Sequence, residues 1–125
     1  MKEHHIYSDE NTVTKENFQN PPAQYRGSPF WAWNNELNPE MLAKQVPLFQ
    51  EMGFGGFHMH ARPGLNLPYM SKDFLDRVEQ CVTAGEKLGL LPRLYDEDRW
   101  PSGFAGGEVV QGHPELRRRI LRFSK

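Results

Sequence analysis

Phe54-Gly55-Gly56-Phe57-His58-Met59-His60-Ala61 runs directly into Arg62-Pro63-Gly64, and the reading of this stretch decides the fold. Turn residues close it, and the run before them reads as a strand from Phe54 to Ala61. On such a strand His58 and His60 share one face with Arg62, while Phe57, Met59 and Ala61 take the other. Helical segments flank it on both sides. Upstream, Asn38 is an N-cap, Pro39 suits the first helical position and Glu40 complements the positive end of the dipole. Leu42, Val46 and Phe49 follow at helical spacing, and Gly53 can take the left-handed position that ends the helix. Pro47 removes one backbone bond and should kink or split this helix near Gln45. Downstream, Ser71 caps a second helix with an apolar stripe of Phe74, Leu75, Val78, Val82 and Leu88, stopped by Gly89. Cys81 lies beside that stripe and reads as a small buried side chain, not a nucleophile.

Two further strands frame this core. Phe30-Trp31-Ala32-Trp33 is a short aromatic run between Pro29 and Asn34-Asn35. Leu90 to Tyr95 leads straight into Asp96-Glu97-Asp98-Arg99-Trp100-Pro101-Ser102-Gly103, followed by a glycine-rich loop over Phe104 to Gly107. Pro114 to Phe123 reads as a basic helix, and Met1 to Asn17 as a flexible arm with almost nothing to pack. The order strand, helix, strand, helix, strand predicts an α/β fold with parallel strands and two crossover helices. The phosphate fingerprint of a doubly wound sheet is missing, because Gly53-Phe54-Gly55-Gly56 precedes a strand and opens no helix. Polar residues collect at the end of every strand, where a (β/α)8 barrel builds its active site. A whole barrel needs about 250 residues and eight strands. Residues 18–125 are therefore expected to be the N-terminal, truncated portion of a (β/α)8 TIM-type barrel, completed by further chain or by self-association.

Composition narrows the partners. The chain has 125 residues with 15 Lys+Arg against 16 Asp+Glu, a net charge of -1. That balance gives no long-range electrostatic reason to expect nucleic acid or an anionic membrane. No apolar run approaches the roughly 18 residues of a membrane span, and Met1 to Lys15 lacks the apolar core of a secretory signal, so the expected location is cytoplasmic. One cysteine excludes an internal disulfide and a cysteine-built metal site.

Three groups of residues could carry chemistry. His58 and His60, two apart on a strand, could begin a divalent-metal site of the amidohydrolase-barrel kind, but two histidines are an incomplete ligand set. Hydrogen-bonded histidines lining a polar pocket are the plainer reading. Asp96, Glu97 and Asp98 are the densest carboxylate group at any strand end; on an extended strand Asp96 and Asp98 share one face and Glu97 takes the other. They can bind a polyol or a cation, or pair with Arg93 and Arg99. Trp31, Trp33 and Trp100 are the third group. Aromatic faces stack on pyranose rings while acids, amides, Arg and His satisfy hydroxyls, so this composition suits carbohydrate. Trp100 is the best platform, and Trp31 and Trp33 read as packing residues.

These residues also carry a resemblance. Pro21-Pro22-Ala23-Gln24-Tyr25-Arg26-Gly27, Phe30-Trp31-Ala32-Trp33-Asn34, Met52-Gly53-Phe54-Gly55-Gly56-Phe57, Met59-His60-Ala61-Arg62-Pro63-Gly64 and Leu94-Tyr95-Asp96-Glu97-Asp98-Arg99-Trp100-Pro101-Ser102-Gly103-Phe104-Ala105-Gly106-Gly107 fall in order. The sequence from Phe18 to Arg119 resembles the start of the barrel of glycoside hydrolase family 106-like proteins, the α-L-rhamnosidase group. The resemblance implies a (β/α)8 barrel that acts on terminal α-L-rhamnosides, or related sugars, with inversion and with a bound Ca²⁺ in characterised members. It implies sugar- or cation-binding roles for Asn34, His60, Arg62, Asp96, Glu97 and Asp98, to which the reading of the aromatics adds Trp100. His58, where an aromatic is expected, and Pro47 depart from the pattern. Inversion needs an acid and a base about 6.5–9.5 Å apart across the scissile bond. Asp96 and Asp98 could span about 6.6 Å along a strand, but neighbours on one strand do not flank a substrate from opposite sides. The acid and base are expected on later strands. A non-catalytic sugar-binding remnant is the remaining alternative.

Overall fold

The computed structural model describes residues 14–99 and 105–124. A short helix α1 (Lys15–Gln19), capped by the Thr14 hydroxyl and burying none of its residues, precedes β1 (Phe30–Trp33). Then come α2 (Pro39–Glu51), β2 (Gly56–Ala61), α3 (Lys72–Lys87) and β3 (Leu91–Asp98). The strands form one parallel sheet in the order β1-β2-β3, and α2 and α3 are the crossovers between them. The α/β class, the parallel strands and the two crossover helices all follow the alternation in the sequence. Of the arm expected over Met1–Asn17, residues 1–13 lie outside the described residues.

Local chemistry sets the helix ends. The Asn38 side chain accepts from the amides of Glu40 and Met41, and Ser71 Oγ accepts from Phe74. Gly53 (φ 82°) and Gly89 (φ 70°) take the left-handed turns that follow the C-caps Met52 and Leu88. Pro47 does not split α2, which runs unbroken through it. Pro47 cannot donate to the carbonyl of Ala43, which lies on the exposed side where water can serve it.

The core lies between the sheet and the two helices. Trp33, Phe57, Met59, Phe74, Val46 and Cys81 are fully buried there, and each large side chain contributes about 1.5–3 kcal/mol by leaving water. Trp31 packs edge-on against Trp33, Phe49 and Phe57, so both strand tryptophans pack as expected. Burial pushes the Cys81 thiol up to about 12. A thiol reagent at pH 8 should therefore label Cys81 only as fast as the chain unfolds, which a labelling time course in increasing urea checks. The sign for stability follows. With the folded value above the unfolded one, this group's contribution is complete below about pH 9 and is lost as pH rises toward 12.

Two boundaries differ from expectation. The middle strand starts at Gly56, not Phe54, and β3 runs to Asp98 instead of stopping at Tyr95. The acids therefore belong to the strand itself, because the end of β2 keeps pairing with them: Ala61 pairs Asp98, and the Arg99 amide donates to the Ala61 carbonyl at 3.0 Å. The helix expected over Pro114–Phe123 forms only a single 3-10 turn at Pro114–Leu116, and the rest is irregular and exposed. Three consecutive arginines and the lack of a packing partner leave so short a helix unstable.

Candidate functional site at the carboxyl ends of the strands

The register of β3 builds the site. Met59 pairs Leu94 and Ala61 pairs Asp98, so β3 spends four residues where β2 spends two. The irregularity presents both Tyr95 and Glu97 to His60. His60 is fully buried on the face of the sheet away from the helices. Its ring meets the edge of Phe30 at 4.6 Å and stacks on Tyr95 at 4.2 Å.

Hydrogen bonding orients the ring. His60 Nε2 lies 2.8 Å from the Arg99 carbonyl, which can only accept, so the proton is assigned to Nε2. Glu97 Oε1 stands 3.2 Å from the same nitrogen. That N–H points to the carbonyl, however, and neither Glu97 oxygen has an aligned donor among the described residues. His60 Nδ1, equally buried, has no partner among the described residues either. A fully buried carboxylate without a donor is costly, and such groups collect where a ligand completes the set.

The other acids stand apart. Asp98 is buried beside the loop glycine Gly106 and 3.7 Å from the half-exposed guanidinium of Arg99; Asp96 is exposed. Tyr69, on the loop after β2, senses all three. Burial first, then the fields of Asp98, Asp96 and Glu97, push its hydroxyl above the usual phenol range.

Of the residues singled out by sequence, the fold brings His60 and Glu97 together. Asn34, Arg62 and Asp96 stand on the rim of the same end. The Arg62 amide donates to the Trp33 carbonyl at 2.9 Å. Gly64 (φ 103°) lies so close to the Asn34 carbonyl that a Cβ would come within 2.6 Å of it. The loops after β1 and β2 are thus pressed together, and a side chain at Gly64 would force them apart. Trp100 lies outside the described residues. His58 does not join His60 in a pair: its Nδ1 is 3.1 Å from Ser28 Oγ. Phe30, Tyr95, Tyr69 and the Arg99 carbonyl were not singled out by the sequence reading. Alternation could have flagged Tyr95, which shares the face of Glu97; the others depend on register and loop path.

Among the described residues no three His, Cys, Asp or Glu side chains are placed to hold a metal ion, and no helix is long and apolar enough to cross a membrane. The sequence matches no family model and no curated protein. Among solved structures the chain is similar to a rhamnosidase from Novosphingobium sp. PP1Y, with 20% identity and a TM-score of 0.58. The match covers 69% of this chain but only 9% of that one. At such identity the likeness is one of fold: three parallel strands with their crossovers, as they occur within a much longer rhamnosidase chain.

Proposed function

We propose that the chain forms the opening three strands of a (β/α)8 barrel of the α-L-rhamnosidase type and supplies part of its carbohydrate site. The observation that carries this reading is the buried Glu97 carboxylate, without a donor among the described residues and beside His60, at the carboxyl ends of parallel strands. Ligands of open and closed α/β sheets bind at those ends. Sugar hydroxyls would supply the donors that Glu97 lacks, and the exposed edge of Phe30 and the ring of Tyr95 would offer apolar walls. Asn34, Arg62 and Asp96 on the rim, with Trp100, would bind outlying hydroxyls. The rhamnosidase fold likeness supports the same choice over an amidohydrolase, whose metal pair finds no support in the separate commitments of His58 and His60.

Calcium does not fit the described residues by themselves. Glu97 has free hard oxygens, but Asp96 and Asp98 project from the opposite side of β3, and no third ligand joins it. No step is assigned to a metal. Nor are acid and base assigned, since Glu97 and His60 touch each other and leave no room for a scissile bond between them. The role of this chain is to bind and orient the sugar, with the chemistry on strands that the rest of a barrel, or another copy, would contribute.

Titration calorimetry with L-rhamnose tests the reading. Weak, saturable binding that falls at least tenfold in Glu97→Gln is expected, together with no measurable turnover of an aryl rhamnoside. Absence of binding, or binding indifferent to the substitution, would remove the carbohydrate site. Turnover by the 125-residue chain that is lost in Asp96→Ala would instead place the catalytic groups within it.

A further inference from the structure

The carbonyl that holds His60 belongs to a residue that has left the strand. In a parallel ladder a residue sends its N–H and C=O to the two residues that flank its partner. Asp98 pairs Ala61, so Arg99 comes level with Arg62, and its amide donates to the Ala61 carbonyl at 3.0 Å. The regular partner of its own carbonyl would be the amide of residue 63, but Pro63 has none. Instead of continuing the strand, Arg99 turns left-handed, with φ 71°. That conformation is strained for a residue with a Cβ, and among the described residues Met70 is the only other non-glycine with a positive φ. The turn delivers the Arg99 carbonyl to within 2.8 Å of His60 Nε2. Both backbone groups of one strained residue are thus held by successive residues of β2, the condition under which strain persists.

Glu97 Oε1, 3.2 Å from the same nitrogen, competes for the same proton. A carboxylate is the stronger acceptor, and an imidazole N–H aimed at it would satisfy Glu97 from within the chain. The carbonyl is closer and aligned, so the His60 N–H is kept off Glu97, and no other donor among the described residues takes its place. The Arg99 side chain plays no part in this: it is half-exposed, with Nε 3.7 Å from Asp98.

We propose that Arg99 is a positioning residue of the carbohydrate site, acting through its left-handed backbone. The turn draws the His60 Nε2–H to the Arg99 carbonyl and thereby reserves both Glu97 oxygens for the ligand. Pro63 is the other half of the arrangement, because a donor at that position would let the Arg99 carbonyl rejoin the ladder. What the open carboxylate binds rests on the carbohydrate reading above; how it is kept open does not.

Arg99→Gly and Arg99→Val remove the same guanidinium, so comparing them isolates the backbone. Glycine is the conservative replacement for a backbone role and takes the left-handed turn freely, whereas a β-branched residue resists it. Long-range proton–nitrogen NMR of the full chain follows the His60 Nε2 proton, assigned by its loss in His60→Gln. In Arg99→Gly its resonance should stay where it lies in the unaltered chain. In Arg99→Val it should move downfield, because a proton given to a carboxylate makes a shorter, stronger bond. Adding Glu97→Gln to Arg99→Val should abolish that move. Calorimetry should show rhamnose binding about tenfold weaker in Arg99→Val and restored to within about twofold in Arg99→Gly, the difference of one hydrogen bond to a charged group. Near-UV circular dichroism checks that Arg99→Val, at an exposed side chain, leaves the core intact. A resonance unmoved in Arg99→Val, or moved equally in Arg99→Gly, would overturn the proposal even if rhamnose binds. Resonances that behave as described in a chain that binds no rhamnose would support the role of Arg99 and remove the carbohydrate reading instead.

Discussion

Gly56→Ala is expected to leave the chain unfolded, or nearly so, in buffer at 25 °C. A Cβ at Gly56 would run into the Leu91 carbonyl oxygen, which is backbone and cannot swing away. That carbonyl belongs to the first residue of β3, and the neighbouring ladder is as tight, with the Leu91 amide donating to the Gly55 carbonyl at 2.8 Å. Relief requires moving β3 away from β2 at the start of its pairing, so the loss should exceed about 3 kcal/mol. A small domain holds only about 5–15 kcal/mol in total. Gly53→Ala is the matched control. Nothing lies within 4 Å of a Cβ there, and only its φ of 82° is unfavourable, so about 1 kcal/mol should be lost. Urea melts followed by circular dichroism compare the two. Equal midpoints would show that the strands are not held as closely as the Gly56–Leu91 approach requires.

Glu97→Gln should act in the opposite sense on the fold and still damage the site. The carboxylate is fully buried and has no aligned donor among the described residues, since His60 Nε2, 3.2 Å away, is directed at the Arg99 carbonyl. Removing the charge while keeping the shape should raise stability by about 1–3 kcal/mol, the usual cost of a buried polar group left without partners. Rhamnose affinity should fall at least tenfold, because the amide presents one acceptor where the carboxylate presents two. Thermal melts and calorimetry on the same sample check both halves. A loss of about 3–5 kcal/mol would instead mean that His60 and Glu97 form a buried ion pair in which each partner needs the other.

The helices were legible because their signals are local. Asn38 and Ser71 cap where the spacing places them, and Gly53 and Gly89 end the helices within a residue or two of their caps. The end of β3 was not legible, since whether Asp96–Asp98 continue the strand depends on how far β2 extends alongside. The same long-range register brings Glu97 to His60, a pairing that spacing within either strand cannot reveal. Pro114–Phe123 failed for the converse reason. Its helical pattern is real, but a segment that short needs a surface to pack on, and the pattern alone does not provide one.

The four-against-two register of β3 on β2 also governs how this part of the chain can change length. Because the surplus is even, Asp98 returns to the side occupied by Leu94, and Glu97 to the side of Tyr95. Losing one residue between Leu94 and Asp98 would turn the polar tip of the strand inside out, exchanging which acid faces His60. Losing two would restore a regular ladder with its sidedness intact. Homologous chains should therefore vary here in steps of two, and a descendant with a single deletion should have abandoned the His–Glu contact altogether.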